Sequence, residues 1–258
     1  MQLAVDEESP TAGPITSPVI GVVGGRGGVG ASLFTAVLSA VGARLGHSGR
    51  SVLVDLEAVA GGIDVLLGVE GVPGPRWSGL RLAGGYLQPS LLGGGLPRWG
   101  AVSVLAADLM PSAADVAQLL PAAAEIGPVA VELGRWPSPT RDAALDQCDV
   151  VCLVTRCDVA SVTAARTVAL ALAADGRTVP LGIVTRRMRS APDAHHVADL
   201  IGAPLIGSLP PVDVGDTSLP IDANRLPRSM DRVAAGVWEG LLAAGGAASG
   251  SFVPAVMR

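Results

Sequence analysis

The chain has 258 residues, 49% of them hydrophobic, enough to bury a full core as one large α/β domain or two small ones. Aromatic residues make up only 3%, so that core is built from Ala, Val, Leu and Ile, and all 18 basic residues are arginine, a bias that fits GC-rich base composition. A net charge of −5 argues against nucleic acid as a partner, coated or read by sequence, and no run approaches the ~20 apolar residues of an integral membrane segment.

Residues 1–17, MQLAVDEESPTAGPITS, are polar and aperiodic and read as a disordered lead, not a targeting peptide. From residue 18 on, strands and helices alternate. PVIGVVGG (18–25) is a short apolar strand ending in glycines, and SLFTAVLSAVGARLG (32–46) has helical periodicity. SVLVDLE (51–57) is a second strand with carboxylates at its carboxyl end; a short helix in GGIDVLLGVE and a long irregular excursion over 74–100 follow. AVSVLAA (101–107) is a strand, and SAADVAQLLPAAAEI a helix interrupted at Pro121, whose ring removes a backbone donor. PVAVELG (128–134) and DVVCLVTR (149–156) are strands on either side of a helix near 139–147. A helix over 159–174, the strand PLGIVTR, a helix near 193–201 and the strand PLIGSLP come next. The last helix, about 229–243, puts Met230, Val233, Ala234, Val237, Trp238, Leu241 and Leu242 on one face. Arg232 is offset there by Asp231 and Glu239, so the basic flank of a membrane-surface helix is missing and packing on the body is expected. Residues 246–258 read as a flexible tail. The alternation predicts an α/β fold over 18–245, three layers with a mostly parallel central sheet and helices on both faces.

Chemistry enters at VVGGRGGVGASLFTAVL, residues 22–38. The P-loop pattern G-x-x-x-x-G-K-[ST] finds Gly25, Gly30 and Ser32 at the right offsets, but position 31, the lysine, is alanine. Between a first strand and a first helix, successive backbone N–H groups and the helix amino end make an anion site that needs no side chain. Ligands of a parallel sheet bind beyond the carboxyl ends of its strands. The loop, Asp55 and Glu57, Glu132 with Gly134 and Arg135, and Thr185 all fall at those ends.

Other candidates are weaker. Cys148, Cys152 and Cys157 are too few and wrongly spaced for zinc and read as small buried thiols. An odd number of cysteines without a signal peptide points to the reducing cytoplasm. His195 and His196 are adjacent and read as surface residues, and Asp142, Asp146 and Asp149 as a solvated helix face and cap. The Arg186, Arg187 and Arg189 cluster reads as a solvated loop in preference to a phosphate or acidic-partner site.

GRGGVGAS resembles the deviant Walker A motif of the MinD/ParA ATPases, K-G-G-x-G-K-[ST]. VDLEAVAGGIDVLLGVE resembles their second strand and first switch, and SLPPVDVGDTSLPI a late element beside the nucleotide base. The stretch GPRWSGLRLAGGYLQPSLLGGGLPRWGAVSVLA is similar to the CpaE/TadZ-like branch of actinobacteria, which includes septum-site-determining proteins. The resemblance covers about residues 18–245 and implies a P-loop NTPase-like fold, ATP or ADP with Mg²⁺ as cofactor, and a cytoplasmic protein peripheral to the membrane through partners. It implies that Gly25, Gly27, Gly28, Val29 and Gly30 wrap the phosphates and that Ser32 and Asp55 hold the metal. Arg26 stands at the signature lysine that reaches into a partner subunit, and Ala31 at the P-loop lysine. Glu57 stands where a water-orienting Asp is expected and Glu132 at the Walker B aspartate, with Thr185 and Pro210 near the base. Fuller members carry a receiver-like domain at the amino end, for which this chain leaves no room.

These substitutions imply weakened chemistry. A lysine–phosphate contact is worth about 1.5–3 kcal/mol, so its loss weakens binding by about 10- to 150-fold. A comparable transition-state cation changes phosphoryl-transfer rates by about 10³–10⁵. The leading expectation is a regulatory protein that positions partners for septum placement or Flp/Tad-type pilus and secretion assembly, binding ATP weakly with slow or absent hydrolysis. A second is an active ATPase in which a nucleotide-dependent homodimer uses Arg26 as the cation. A third is a scaffold whose P-loop is vestigial.

Overall fold

The computed structural model describes residues 17–59, 61–80, 92, 94–174, 176, 178–188, 192–211 and 220–245. Its strands are β1 (Val19–Gly24), β2 (Ser51–Asp55), β3 (Arg98–Trp99), β4 (Val102–Leu105), β5 (Val129–Glu132), β6 (Val150–Arg156), β7 (Leu181–Arg186) and β8 (Leu205–Leu209). Its helices are α1 (Ala31–Leu45), α2 (Ile63–Leu67), α3 (Ala113–Ala124), α4 (Pro139–Leu145), α5 (Val159–Ala173), α6 (Ala194–Ile201) and α7 (Arg228–Gly245). The strands form one sheet in the order β3-β4-β2-β5-β1-β6-β7-β8, in which only the β3–β4 pairing is antiparallel. This is the three-layer α/β arrangement expected from the alternation of elements.

The two-residue period of each strand divides its side chains between the two covering layers. Val19 and Val23 of β1 join a cluster with Leu119, Leu145, Ala165 and Val197, from α3 to α6. Ile20 and Val22 face the other way, onto Phe34 and Val37 of α1 and Trp238 of α7. β1 lies between β5 and β6, so the chain leaves it first toward one edge of the sheet and later toward the other. Its carboxyl end is therefore the switch point at which open α/β sheets bind ligands.

The last helix packs on the body as its apolar face predicts. The Trp238 indole N–H donates to the Leu38 carbonyl at 2.8 Å, and Arg44 pairs with Asp231 at 2.8 Å. Leu242 departs from that face: it is 41% exposed. Among the described residues no helix is long and apolar enough to cross a membrane.

Two local expectations fail. α3 runs through Pro121 to Ala124 without interruption. A capping box between Ser112 and Asp115 secures its start, and Leu119, Leu120, Ala122, Ala123 and Ala124 are buried on either side of the proline, which offsets one lost backbone bond. The excursion over 74–100 ends in a strand, β3, that turns at Gly100 (φ 59°) to pair with β4. The lead 1–16, most of 81–93, residues 212–219 and the tail 246–258 lie outside the described residues.

Candidate functional site

The loop between β1 and α1 needs glycine at three points, Gly25, Gly28 and Gly30. Gly25 donates its N–H to Val154 of β6 at 2.9 Å, and a Cβ there would stand 2.8 Å from that of Ala165 in α5. Gly28 (φ 74°) and Gly30 (φ 96°) are left-handed, and Gly30 caps α1 without a side-chain bond. The first N–H groups of a helix have no intrahelical acceptor. Here they open, with those of the loop, onto a cleft of about 670 Å³.

Ser32, Asp55 and Glu132 form the floor of that cleft. Asp55 and Glu132 are register partners on adjacent strands, and both are buried. The Ser32 hydroxyl donates to Glu132 Oε1 at 2.5 Å. Asp55 accepts three backbone N–H groups, from Glu57 at 2.8 Å and from Ile63 and Ala107 at 3.4 Å each. It thereby ties the start of α2 and the end of β4 to the end of β2. The Trp77 indole supports this corner by donating to the Asp55 carbonyl at 2.8 Å.

Burial pushes the Glu132 carboxyl up to about 8, with the charges of Asp55 and Glu57 adding to the effect. Burial likewise pushes Asp55 up to about 6, against the lowering by its three N–H donors. Glu57 is half-buried and also lines the cleft, as do Arg26, Gly27, Gly28, Val29, Gly30 and Ala31.

Three arginines reach the same space: Arg26, Arg135 and Arg186. Arg26 is half exposed and lies 3.9 Å from Asp158. Arg135 follows β5 and passes within 4.0 Å of where a Cβ on Gly27 would be, its carbonyl held by the buried Arg141 at 3.0 Å. The arginine cluster reads as a solvated loop, but Arg186, the last residue of the strand PLGIVTR, is half-buried at the end of β7 and lines the cleft. Arg187 is exposed, and Arg189 lies outside the described residues.

Three predicted site residues are not among those lining the cleft. Gly25 is buried beneath it against α5. Thr185 is buried one residue before Arg186 with its hydroxyl on Ser208 at 3.2 Å, and Pro210 is exposed after β8. Glu70 and the left-handed pair Gly61–Gly62, which do line it, lie in the run that resembles the first switch, with no signal of their own for the site.

The weaker candidates behave as surface or core. His195 and His196 are exposed, and Asp149 caps β1 by accepting from the Val19 N–H at 2.7 Å. All three cysteines are free thiols; Cys152 and Cys157 are buried and Cys148 half-buried. Among the described residues no three His, Cys, Asp or Glu side chains are grouped to hold a metal ion.

The donors present nevertheless fit a Mg²⁺–nucleotide. A hydroxyl and carboxylates are hard oxygen ligands, and Mg²⁺ characteristically takes one or two such groups together with phosphate oxygens. A Cβ-free loop leaves the phosphates room at Gly27 and Gly28.

No protein-family model matches the chain. Two uncharacterised proteins from two strains of Mycobacterium tuberculosis are each 39% identical to it over 217 residues, 81% of this chain. The match spans 59% of the length of those relatives. Among solved structures, the ParA family ATPase of Chlorobium tepidum superposes with a TM-score of 0.73 at 16% identity, covering 86% of this chain and 99% of that one. The septum site-determining protein MinD of Pyrococcus horikoshii, complexed with Mg-ADP, gives 0.66 at 18% identity, covering 90% and 100%. At these identities the likeness shows the fold: an eight-stranded P-loop NTPase-like sheet shared with the MinD and ParA ATPases.

Proposed function

We propose that this chain is a MinD/ParA-type nucleotide-binding regulator that holds Mg-ATP weakly, hydrolyses it slowly or not at all, and positions partner proteins in division or in Flp/Tad-type pilus and secretion assembly. One observation carries the reading: a glycine loop at the carboxyl end of β1, left-handed at Gly28 and Gly30, opens onto a cleft floored by Ser32, Asp55 and Glu132. The assignment to the CpaE/TadZ-like branch rests on the sequence resemblance.

In this reading the N–H groups of residues 27–32 bind the phosphates. The Ser32 hydroxyl, with Asp55 and Glu132 beneath it, holds Mg²⁺, which supplies charge neutralisation on the phosphate oxygens. Glu57, at the cleft wall, orients a water. Three arginines and four carboxylates line the cleft, so cations stand beside the phosphates as well as the metal's ligands. Weak turnover follows from Ala31, since no lysine answers charge developing in the transition state.

A second reading, turnover only as a dimer with Arg26 as the cation, is favoured by Arg26 alone, whose side chain is 49% exposed at the cleft rim. ATPase activity per molecule that rises with protein concentration and vanishes in Arg26→Ala decides for it.

Ala31→Lys tests the first reading. Position 31 opens α1 and lines the cleft, and lysine is a good helix former. The expected result in calorimetry is ATP binding tighter by about tenfold or more, as one charge-assisted hydrogen bond gives. Hydrolysis rises much less, because Glu57 and Glu132 still set the water and the metal surroundings. ATP binding that stays undetectable in Ala31→Lys at millimolar nucleotide contradicts the phosphate-cradle assignment and favours a scaffold.

A further inference from the structure

We propose that Arg186 stands in for the missing P-loop lysine, its guanidinium approaching from the end of β7 to bind the terminal phosphates of a nucleoside triphosphate held on the loop. The inference rests on the nucleotide-binding reading above and adds the residue that supplies the charge. Arg186 Nη1 lies 3.3 Å from the position a Cβ on Gly30 would take, against the residue that precedes Ala31, and the side chain lines the same cleft. A side chain at Gly30 would crowd the guanidinium by a few tenths of an ångström.

The strand end that carries Arg186 is fixed on both sides. Its carbonyl accepts from the Cys157 N–H at 3.1 Å, the next N–H donates to Leu209 at 2.9 Å, and Thr185 beneath it is fully buried. The guanidinium therefore projects from a defined point, which limits the entropy lost on binding. Two further arginines stand nearby: Arg156, its register partner on β6, and Arg26 both lie against Asp158, at 3.1 and 3.9 Å. Burial and the neighbouring Arg156 hold the Arg186 pKa below its usual value.

The planar fork of arginine matches two phosphate oxygens at once. A lysine at position 31 would reach the phosphates from the helix start; Arg186 meets the same first turn from β7. A chain that contains no lysine thus keeps a cation at the phosphates without one at position 31.

Calorimetry with Mg-ATP and with AMP, on the full chain, tests this. Arg186→Gln is expected to weaken ATP binding by about tenfold or more while changing AMP, which lacks the terminal phosphates, by less than about twofold. Its melting temperature should match the parent chain, and Ala31→Lys added to Arg186→Gln should restore ATP affinity. Arg186→Lys, expected to lose less than the glutamine variant, carries the test if that variant does not fold. Unchanged ATP affinity in Arg186→Gln, or equal losses for ATP and AMP, overturns the assignment and leaves the nucleotide reading standing. Absence of ATP binding in both the parent chain and Ala31→Lys overturns the two together.

Discussion

Trp238→Ala lowers the unfolding free energy by about 3–5 kcal/mol, the range for truncating a large buried aromatic. Trp238 is 1% exposed, and it is the link through which α7 grips α1. Its ring lies on Gly42, where a Cβ would come within 3.0 Å of it, and its N–H is satisfied by the Leu38 carbonyl at 2.8 Å. Truncation leaves a cavity among Phe34, Val37, Val41, Val233 and Val237, all buried in the same cluster, and neither helix can close it without moving the other. Trp238→Phe keeps most of the volume and loses the hydrogen bond, so its loss is smaller, about 1–2 kcal/mol. Urea unfolding checks both. A loss below about 1 kcal/mol for the alanine variant would mean that α7 is not docked as described. The same docking explains why the last helix is a structural element: its apolar face is spent on the sheet and α1.

The second large effect is a fall in stability as pH rises, in protein free of nucleotide and metal. Folding raises the Glu132 carboxyl from 4.5 to about 8 and the Asp55 carboxyl from 3.8 to about 6. The folded chain thus binds more protons than the unfolded chain between about pH 4 and 8, and stability declines with pH wherever that holds. The stabilising state is the protonated one. It is fully present below the unfolded values and lost as pH climbs through about 6 for Asp55 and about 8 for Glu132. Glu132→Gln keeps an acceptor for the Ser32 hydroxyl and removes the titration. It is expected to flatten the upper part of the decline and to stabilise the protein above pH 8 by on the order of 2–4 kcal/mol. Thermal unfolding at a series of pH values measures this. A parent chain equally stable at pH 5 and pH 8.5 would contradict the buried, proton-holding floor.

Much of this architecture is legible in the sequence because its signals are local. β1, α1 and the glycine loop announce themselves through an apolar run, helical periodicity and fixed spacing, and their observed bounds differ from the reading by a residue. Asp55 and Glu132 are readable as site residues because each closes an apolar strand. What escaped is what depends on neighbours. β3 has two residues, too few to show a period, and forms because Gly100 turns the chain back onto β4. α3 passes Pro121 because the core rewards burial on both sides of it. Arg186 closes a readable strand, but its side chain reads as solvated because three arginines stand near one another. Its approach to Gly30 follows from β7 lying two strands from β1, and sheet order is not written in any one segment.

The central claim is that the loop over residues 25–32 remains a phosphate cradle although its lysine is gone. Amide resonances of the isotopically labelled parent chain, followed while Mg-ATP is added, test it most directly, because the N–H groups themselves are the proposed ligands. The predicted result is a saturable shift of the amides of Gly27, Gly28, Val29, Gly30, Ala31 and Ser32, complete at millimolar nucleotide. Amides that stay still up to about 10 mM Mg-ATP, a level that would register binding weaker than about −3 kcal/mol, would contradict it.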